Sequence, residues 1–167
     1  MNDTHFLLPE LTEVRLTEFY MSSDSGFVLT DYPLIHYPIR GAKRYLSGGA
    51  DLSCTAHDYY RFCQMLLNGG TLNGHRILET ETVDLMTRAH LESGEEDMGL
   101  GFGIMSSKSA TTKRARSLGS YSWGGFFHTT FWIDPEEELI AILLLQMYPF
   151  GDWEIVEEFE ALIYESE

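Results

Sequence analysis

An unbroken apolar run at residues 139–145, LIAILLL, constrains the fold more than any other stretch of this chain. Extended chain places successive side chains on opposite faces, so a strand apolar at every position must be covered on both sides. That requirement points to a layered domain with a sheet inside it. Asp134-Pro135 lies just upstream, and proline fixes φ at the second position of a tight turn. Residues 127–133 and 139–147 are therefore predicted to form an antiparallel hairpin, with the apolar run as a central strand. Further strands are expected over 100–105 and 121–123. The run is far below the roughly 20 residues that a membrane-spanning helix needs.

Helical signals flank this β region. Thr55 followed three places later by Asp58 has the form of a capping box, and Tyr59, Phe62, Cys63, Leu66 and Leu67 recur on one helical face before Gly69-Gly70. A helix over about 56–68 follows. A shorter one is predicted over 80–88, burying Val83, Met86 and Leu85. Near the end, Trp153, Val156, Phe159 and Ile163 form an apolar stripe over about 152–164, with Glu154, Glu157 and Glu158 near the positive N-terminal end of the helix dipole. That helix can cover one face of the sheet. The first fifty residues fit neither period and are broken by Pro9, Pro33 and Pro38, so irregular extended chain with short strands is expected there.

Composition excludes several functions. The chain has 167 residues with 11 Lys plus Arg against 26 Asp plus Glu, a net charge of −15, which argues against a nucleic-acid binder because that role needs a basic face. With 44% hydrophobic residues it can bury the core of one domain spanning 1–167. Met1-Asn2-Asp3-Thr4 lacks the basic start of a signal peptide, so a soluble chain is expected, with no membrane partner and a cytoplasmic setting slightly favoured. Bases cluster in SSKSATTKRARS, with Lys108, Lys113, Arg114 and Arg116, and this segment reads as an exposed loop.

Several candidate chemistries are poorly supported by the residues. Cys54, His57 and Cys63 are soft or borderline ligands close in sequence, but Cys54 and Cys63 fall on opposite helical faces and Cys63 belongs to the apolar stripe, so no metal is expected. A buried Cys63 would also be inert as a nucleophile. Ser120, Tyr121 and Ser122 precede a strand and read as hydroxyls satisfying turn backbone rather than as partners of His128 in a triad. His128 itself receives no catalytic role. The acidic groups Asp134, Glu136, Glu137, Glu138 and Glu92, Glu95, Glu96, Asp97 read as solvated turns.

Three stretches in order carry a specific resemblance: MNDTHF at 1–6, LSGGADLSCTAHDYYRFCQMLLNGG at 46–70 and SYSWGGFFHTTFWIDP at 120–135, with LNGHRILETETVDLMTRAHL between the last two. Together they resemble the C-terminal half of a serine hydrolase of the β-lactamase and penicillin-binding-protein superfamily, in its class C β-lactamase-like and family VIII esterase branch. The family works through Ser-x-x-Lys, Tyr-x-Asn or Ser-x-Asn, and a third motif, Lys/His-Thr-Gly or Trp-Gly-Gly, on a strand edge. Trp123, Gly124 and Gly125 match the third motif. The resemblance implies that the N–H of Phe126 is one oxyanion donor, the other belonging to the nucleophilic serine. The family usually has a small residue where Phe126 stands and glycine where His128 stands.

No Ser-x-x-Lys occurs: the residues three before Lys43, Lys108 and Lys113 are Arg40, Met105 and Ala110. The expectation is therefore an α+β chain, a partial β-lactamase/transpeptidase-like fold. Three or four antiparallel strands would carry helices at 56–68 and 153–164. The resemblance implies ester or amide hydrolysis, β-lactams included, without a cofactor, with this chain supplying the third-motif edge but not the nucleophile. A small-molecule acyl substrate would bind only after completion by an N-terminal half. The other expectation is an inactive module of the same fold that self-associates as a homodimer, because the apolar run and an unpaired sheet edge need covering.

Overall fold

The computed structural model describes residues 1–24, 26–40, 46–49, 52–92, 97–107, 115–149 and 154–165. After a 3-10 turn at Glu10–Arg15 come β1 (Tyr20–Ser23), β2 (Gly26–Leu29), a second 3-10 turn at Pro33–His36 and the single turn α1 (Tyr37–Arg40). Then come α2 (Ala56–Leu67), the small hairpin β3 (Thr71–Leu72) and β4 (His75–Arg76), and α3 (Thr80–Thr87). The main sheet is β5 (Asp97–Met98), β6 (Gly103–Ile104), β7 (Tyr121–Gly124), β8 (Thr129–Asp134) and β9 (Leu139–Leu144), antiparallel throughout and in sequence order. β10 (Met147–Tyr148) leaves that sheet to pair in parallel with β1, and α4 (Glu154–Tyr164) follows. The class is α+β, as expected, but the main sheet has five strands rather than three or four. The additional strand is β5, two residues long and too short to show a period, while β6 is the short remainder of the strand expected over 100–105.

Helix α2 forms where its cap and stripe place it. Thr55 Oγ1 accepts from the Asp58 N–H at 3.3 Å, while Gly70 N–H donates to Met65 O and Gly69 N–H to Leu66 O, with both glycines at positive φ. These are the bonds of a Schellman ending. The capping box is only half made. Instead of turning back, the Asp58 carboxylate accepts from Asp3 N–H at 2.7 Å and Thr4 Oγ1 at 3.0 Å, which ties the first residues of the chain to the helix start. Burial raises the pKa of this carboxyl, but the two hydrogen bonds outweigh it and leave the net shift downward.

The sheet is covered on both faces. Phe131 and Ile133 of β8 join Tyr121, Phe102 and Ile104 against Cys63 and Leu66 of α2 and Val83 of α3. Met86 packs there too, but Leu85 is 39% exposed, contrary to expectation, because the two residues lie on different sides of a short helix. On the other face Trp132, fully buried, meets Phe159 of α4 with ring centroids 5.6 Å apart and donates Nε1–H to Tyr164 Oη at 3.2 Å. Val156 of the expected stripe is buried, while Trp153 lies outside the described residues.

Three expectations about charge and strand order are corrected. Arg116 is not in a solvated loop: it pairs with Glu160 at 2.7 Å, both side chains nearly fully buried, and its guanidinium lies 4.3 Å from the Trp132 ring centre. Lys108, Lys113 and Arg114 lie outside the described residues. Asp134 is not a solvated turn carboxylate either; it is fully buried and accepts from Ser117 N–H, Glu136 N–H, Glu137 N–H and Tyr164 Oη. Finally, the apolar run forms β9 at the edge of the sheet, not at its centre. One face packs on α2, with Ile140 and Ile142 against its core, and on the other Ala141 is buried opposite Trp132, which satisfies its apolarity without a second strand neighbour among the described residues.

Candidate functional site

The site is an interrupted ladder. Strand β7 pairs with β8 along its whole length, from Tyr121↔Ile133 to Gly124↔Thr130, but with β6 only at Tyr121 and Ser122. In an antiparallel ladder each residue turns its N–H and C=O to the same side, and the side alternates. Gly125 N–H donates to Thr129 O at 2.7 Å, so Gly125 and Trp123 face β8, while Ser120 O accepts from Met105 N–H on the β6 side. Gly124 therefore turns its backbone groups to the side where β6 has already ended, and because the Gly125 C=O accepts from His128 N–H, the same peptide points the Phe126 N–H to that side as well. Gly101, at φ +89°, bends the chain away just before β6 begins. The Phe126 N–H makes no hydrogen bond to the described residues. The result is a short stretch of unpaired backbone, flanked by Trp123 at 50% exposure and Phe126 at 56%.

The hairpin turn after this edge explains the glycine and the two departures from the family pattern. His128 N–H donates to Gly125 O at 3.1 Å and His128 sits at φ +66°, the left-handed position that follows a three-residue hairpin turn. Glycine takes that conformation without strain, which is why the family pattern has it there. Here a histidine occupies it with its ring 1% exposed, in the turn rather than on a strand. A Cβ on Gly125 would overlap the Thr129 hydroxyl, so this glycine is needed for close approach and not for its torsion. Phe126 stacks on Tyr148 at 4.9 Å and 20°, and Phe127 turns inward against Phe19 at 5.2 Å.

Beside the edge lies a cavity of about 410 Å³ on the α2 side of the sheet. Trp123, Gly124, Gly125 and Phe127 form one wall, and Tyr59 of α2 and Arg15 contribute others. Arg15 holds Asp3 through two bonds of 2.9 and 3.1 Å, and this hydrogen bonding, together with the guanidinium charge, keeps the Asp3 carboxyl below the usual carboxylate range. Burial pushes the Tyr59 phenol far above its ordinary value, so it stays protonated. Cys54 also lines the cavity, its thiol raised chiefly by burial; Cys63 is in the core and pushed up to about 12 by the same cause. Neither is activated. Ser120, also buried, is remote from the exposed edge in the ladder, since it pairs beside Met105.

The structure thus brings Trp123, Gly124, Gly125 and Phe126 together at one edge. Arg15, Tyr59 and Phe127 were not anticipated as its neighbours. Arg15 reaches the cavity from the end of a 3-10 turn that carries no periodic signal, Tyr59 reads as part of a core stripe, and Phe127 reads as the start of a strand.

The fold and the family are seen in comparison with known proteins. A Mycobacterium tuberculosis protein, Rv1367c, is 30% identical over 161 residues, covering 80% of this chain and 40% of that protein. Among solved structures, EstCE1, described as a hydrolase with promiscuous acyltransferase activity, superposes with a TM-score of 0.81 at 18% identity, over 97% of this chain and 46% of the other. Simvastatin synthase from Aspergillus terreus gives 0.78 at 21% over 98% and 46%, and a family VIII carboxylesterase 0.64 at 21% over 96% and 46%. These likenesses show the fold, and the chain spans less than half the length of each of these relatives. The Beta-lactamase family model matches residues 1–164, and on that match, over a fold shared with esterases and acyltransferases, the chain belongs to the β-lactamase family.

Proposed function

We propose that this chain is the C-terminal portion of a serine hydrolase acting on esters or amides, β-lactams included, and that it supplies the substrate edge but not the nucleophile. The observation that carries the reading is the backbone of Gly124 and Phe126 left unpaired where β6 stops, at the third-motif position of a β-lactamase-family chain. A substrate carbonyl laid along this edge directs its oxygen at the Phe126 N–H. Charge developing on that oxygen during acyl transfer is then met by a preoriented donor, an effect that strengthens from ground state to transition state. Trp123 shields the same edge from one side, and the glycines let the substrate approach the backbone.

The attacking serine, its lysine partner and the second oxyanion donor come from the complementing N-terminal half. Its natural seat is the cavity side of the sheet, where Trp123, Leu52 and Leu144 are exposed around the edge. Purified alone, the chain is expected to give no turnover of p-nitrophenyl butyrate or of a chromogenic cephalosporin, and no labelling by a fluorophosphonate. Labelling of a larger co-purifying chain is the positive result. Turnover by the isolated chain that is indifferent to changes at Trp123 and Gly125 would overturn the assignment.

A second reading is a catalytically inactive module of the same fold that self-associates. It is favoured by the free side of β9, an apolar strand edge without proline or charge. A discrete homodimer isolated from cells with no larger acyl-labelled chain co-purifying supports it over the first.

A further inference from the structure

We propose that the aromatic tip of the β7–β8 hairpin makes this edge selective for uncharged esters with a bulky apolar or aromatic acyl group, with Phe126 as the specificity-determining residue and carboxylate-bearing ligands disfavoured. The inference rests on the substrate-edge reading above and narrows it. Phe126 carries the N–H turned to the unpaired side, so the substituent next to a carbonyl held there lies within reach of the Phe126 ring. That ring is more than half exposed yet not free to swing, because it stacks flat on Tyr148 at 4.9 Å and meets Phe127 edge-on at 5.2 Å. Phe127 is fixed in turn by Phe19 at 5.2 Å and Tyr32 at 6.4 Å. An exposed aromatic ring braced in this way is a preformed apolar wall, which gains contact area with little loss of side-chain freedom.

Charge points the same way. Among the described residues lining the cavity, Arg15 is the sole cation, and both arms of its guanidinium that contact Asp3 are already committed. A ligand carboxylate finds no unpaired positive partner there and must approach a chain of net charge −15. A neutral ester meets neither cost.

Three ligands separate the elements of the inference: methyl phenylacetate, aromatic and neutral; methyl acetate, neutral but small; and benzylpenicillin, with the same phenylacetyl group plus a carboxylate. Titrating each into the ¹⁵N-labelled 167-residue chain and following the amides of Gly124, Gly125 and Phe126 requires no turnover. Methyl phenylacetate is expected to bind about tenfold more tightly than either of the others. Phe126→Ala, which keeps the backbone N–H, should raise the Kd of methyl phenylacetate about fivefold, with core amides unshifted as the control on folding. Benzylpenicillin binding at these amides as tightly as methyl phenylacetate, or a Kd indifferent to Phe126→Ala, overturns the selectivity and leaves the substrate edge standing. Absence of saturable shifts with all three overturns the selectivity of this chain's own edge, and labelling of a co-purifying chain then decides the substrate edge separately.

Discussion

The residue that most constrains the candidate site is Gly125. Its torsion is open to any residue, yet any Cβ there collides with the Thr129 hydroxyl across the turn. Gly125→Ala is accordingly expected to lower stability by about 2 kcal/mol, the usual cost of an overpacked position. Urea denaturation measures it, and Thr129→Ala in the same chain should recover most of the loss because it removes the colliding atoms. If the double variant is as unstable as the two singles combined, the collision is not the reason for the glycine. His128 presents the complementary case, a side chain where torsion favours glycine; its buried ring fills space that glycine would leave empty.

Among the elements, α4 and the back of the sheet are joined by more than apolar contact. Trp132, Tyr164, Asp134, Ser117, Arg116 and Glu160 form a continuous polar and aromatic layer under the helix. Burial raises the Asp134 pKa, but bonds from the Ser117 backbone, Tyr164 and the turn amides outweigh it, so the folded value lies below the unfolded one. A depressed carboxyl pKa contributes stability above the unfolded value of about 4 and loses it as pH falls through the folded value. Wild type should therefore exceed Asp134→Asn in urea midpoint at pH 7, and the gap should narrow steadily below about pH 4. A gap constant with pH would mean that shape, not charge, holds the turn. The sequence makes α2, α4 and the β8–β9 hairpin legible because each has a cap, stripe or turn signal of its own. It hides the burial of Arg116 and Asp134, since their partners Glu160 and Tyr164 are 44 and 30 residues away and no local pattern encodes such pairs.

For the whole molecule, the distinction between centre and edge decides how the chain meets other chains. The composition of β9 requires covered faces, one of which α2 supplies, and says nothing about who lies beside it; hence a central strand in sequence became an edge strand in space. The site was legible as Trp123-Gly124-Gly125-Phe126 through motif order alone, whereas its open side depends on where β6 stops, which two residues cannot announce. The ladder also fixes the chemistry of the other edge. With Thr130, Trp132 and Asp134 paired to Leu143, Ala141 and Leu139, alternation turns the N–H groups of Ile140, Ile142 and Leu144 outward, away from β8. Such an edge is suited to accept a strand from another chain. The chain purified alone should therefore show concentration-dependent association by light scattering. Leu144→Pro removes an outward donor that β8 does not use, and the residue before it is already extended, as proline requires. This variant is expected to keep the β8–β9 ladder and a cooperative melt while shifting the population to a monomer of about 19 kDa, the mass of one chain. Association unchanged by Leu144→Pro would place the contact on another surface, and the exposed Phe27, Val28 and Leu29 of the β2 edge are the next to test.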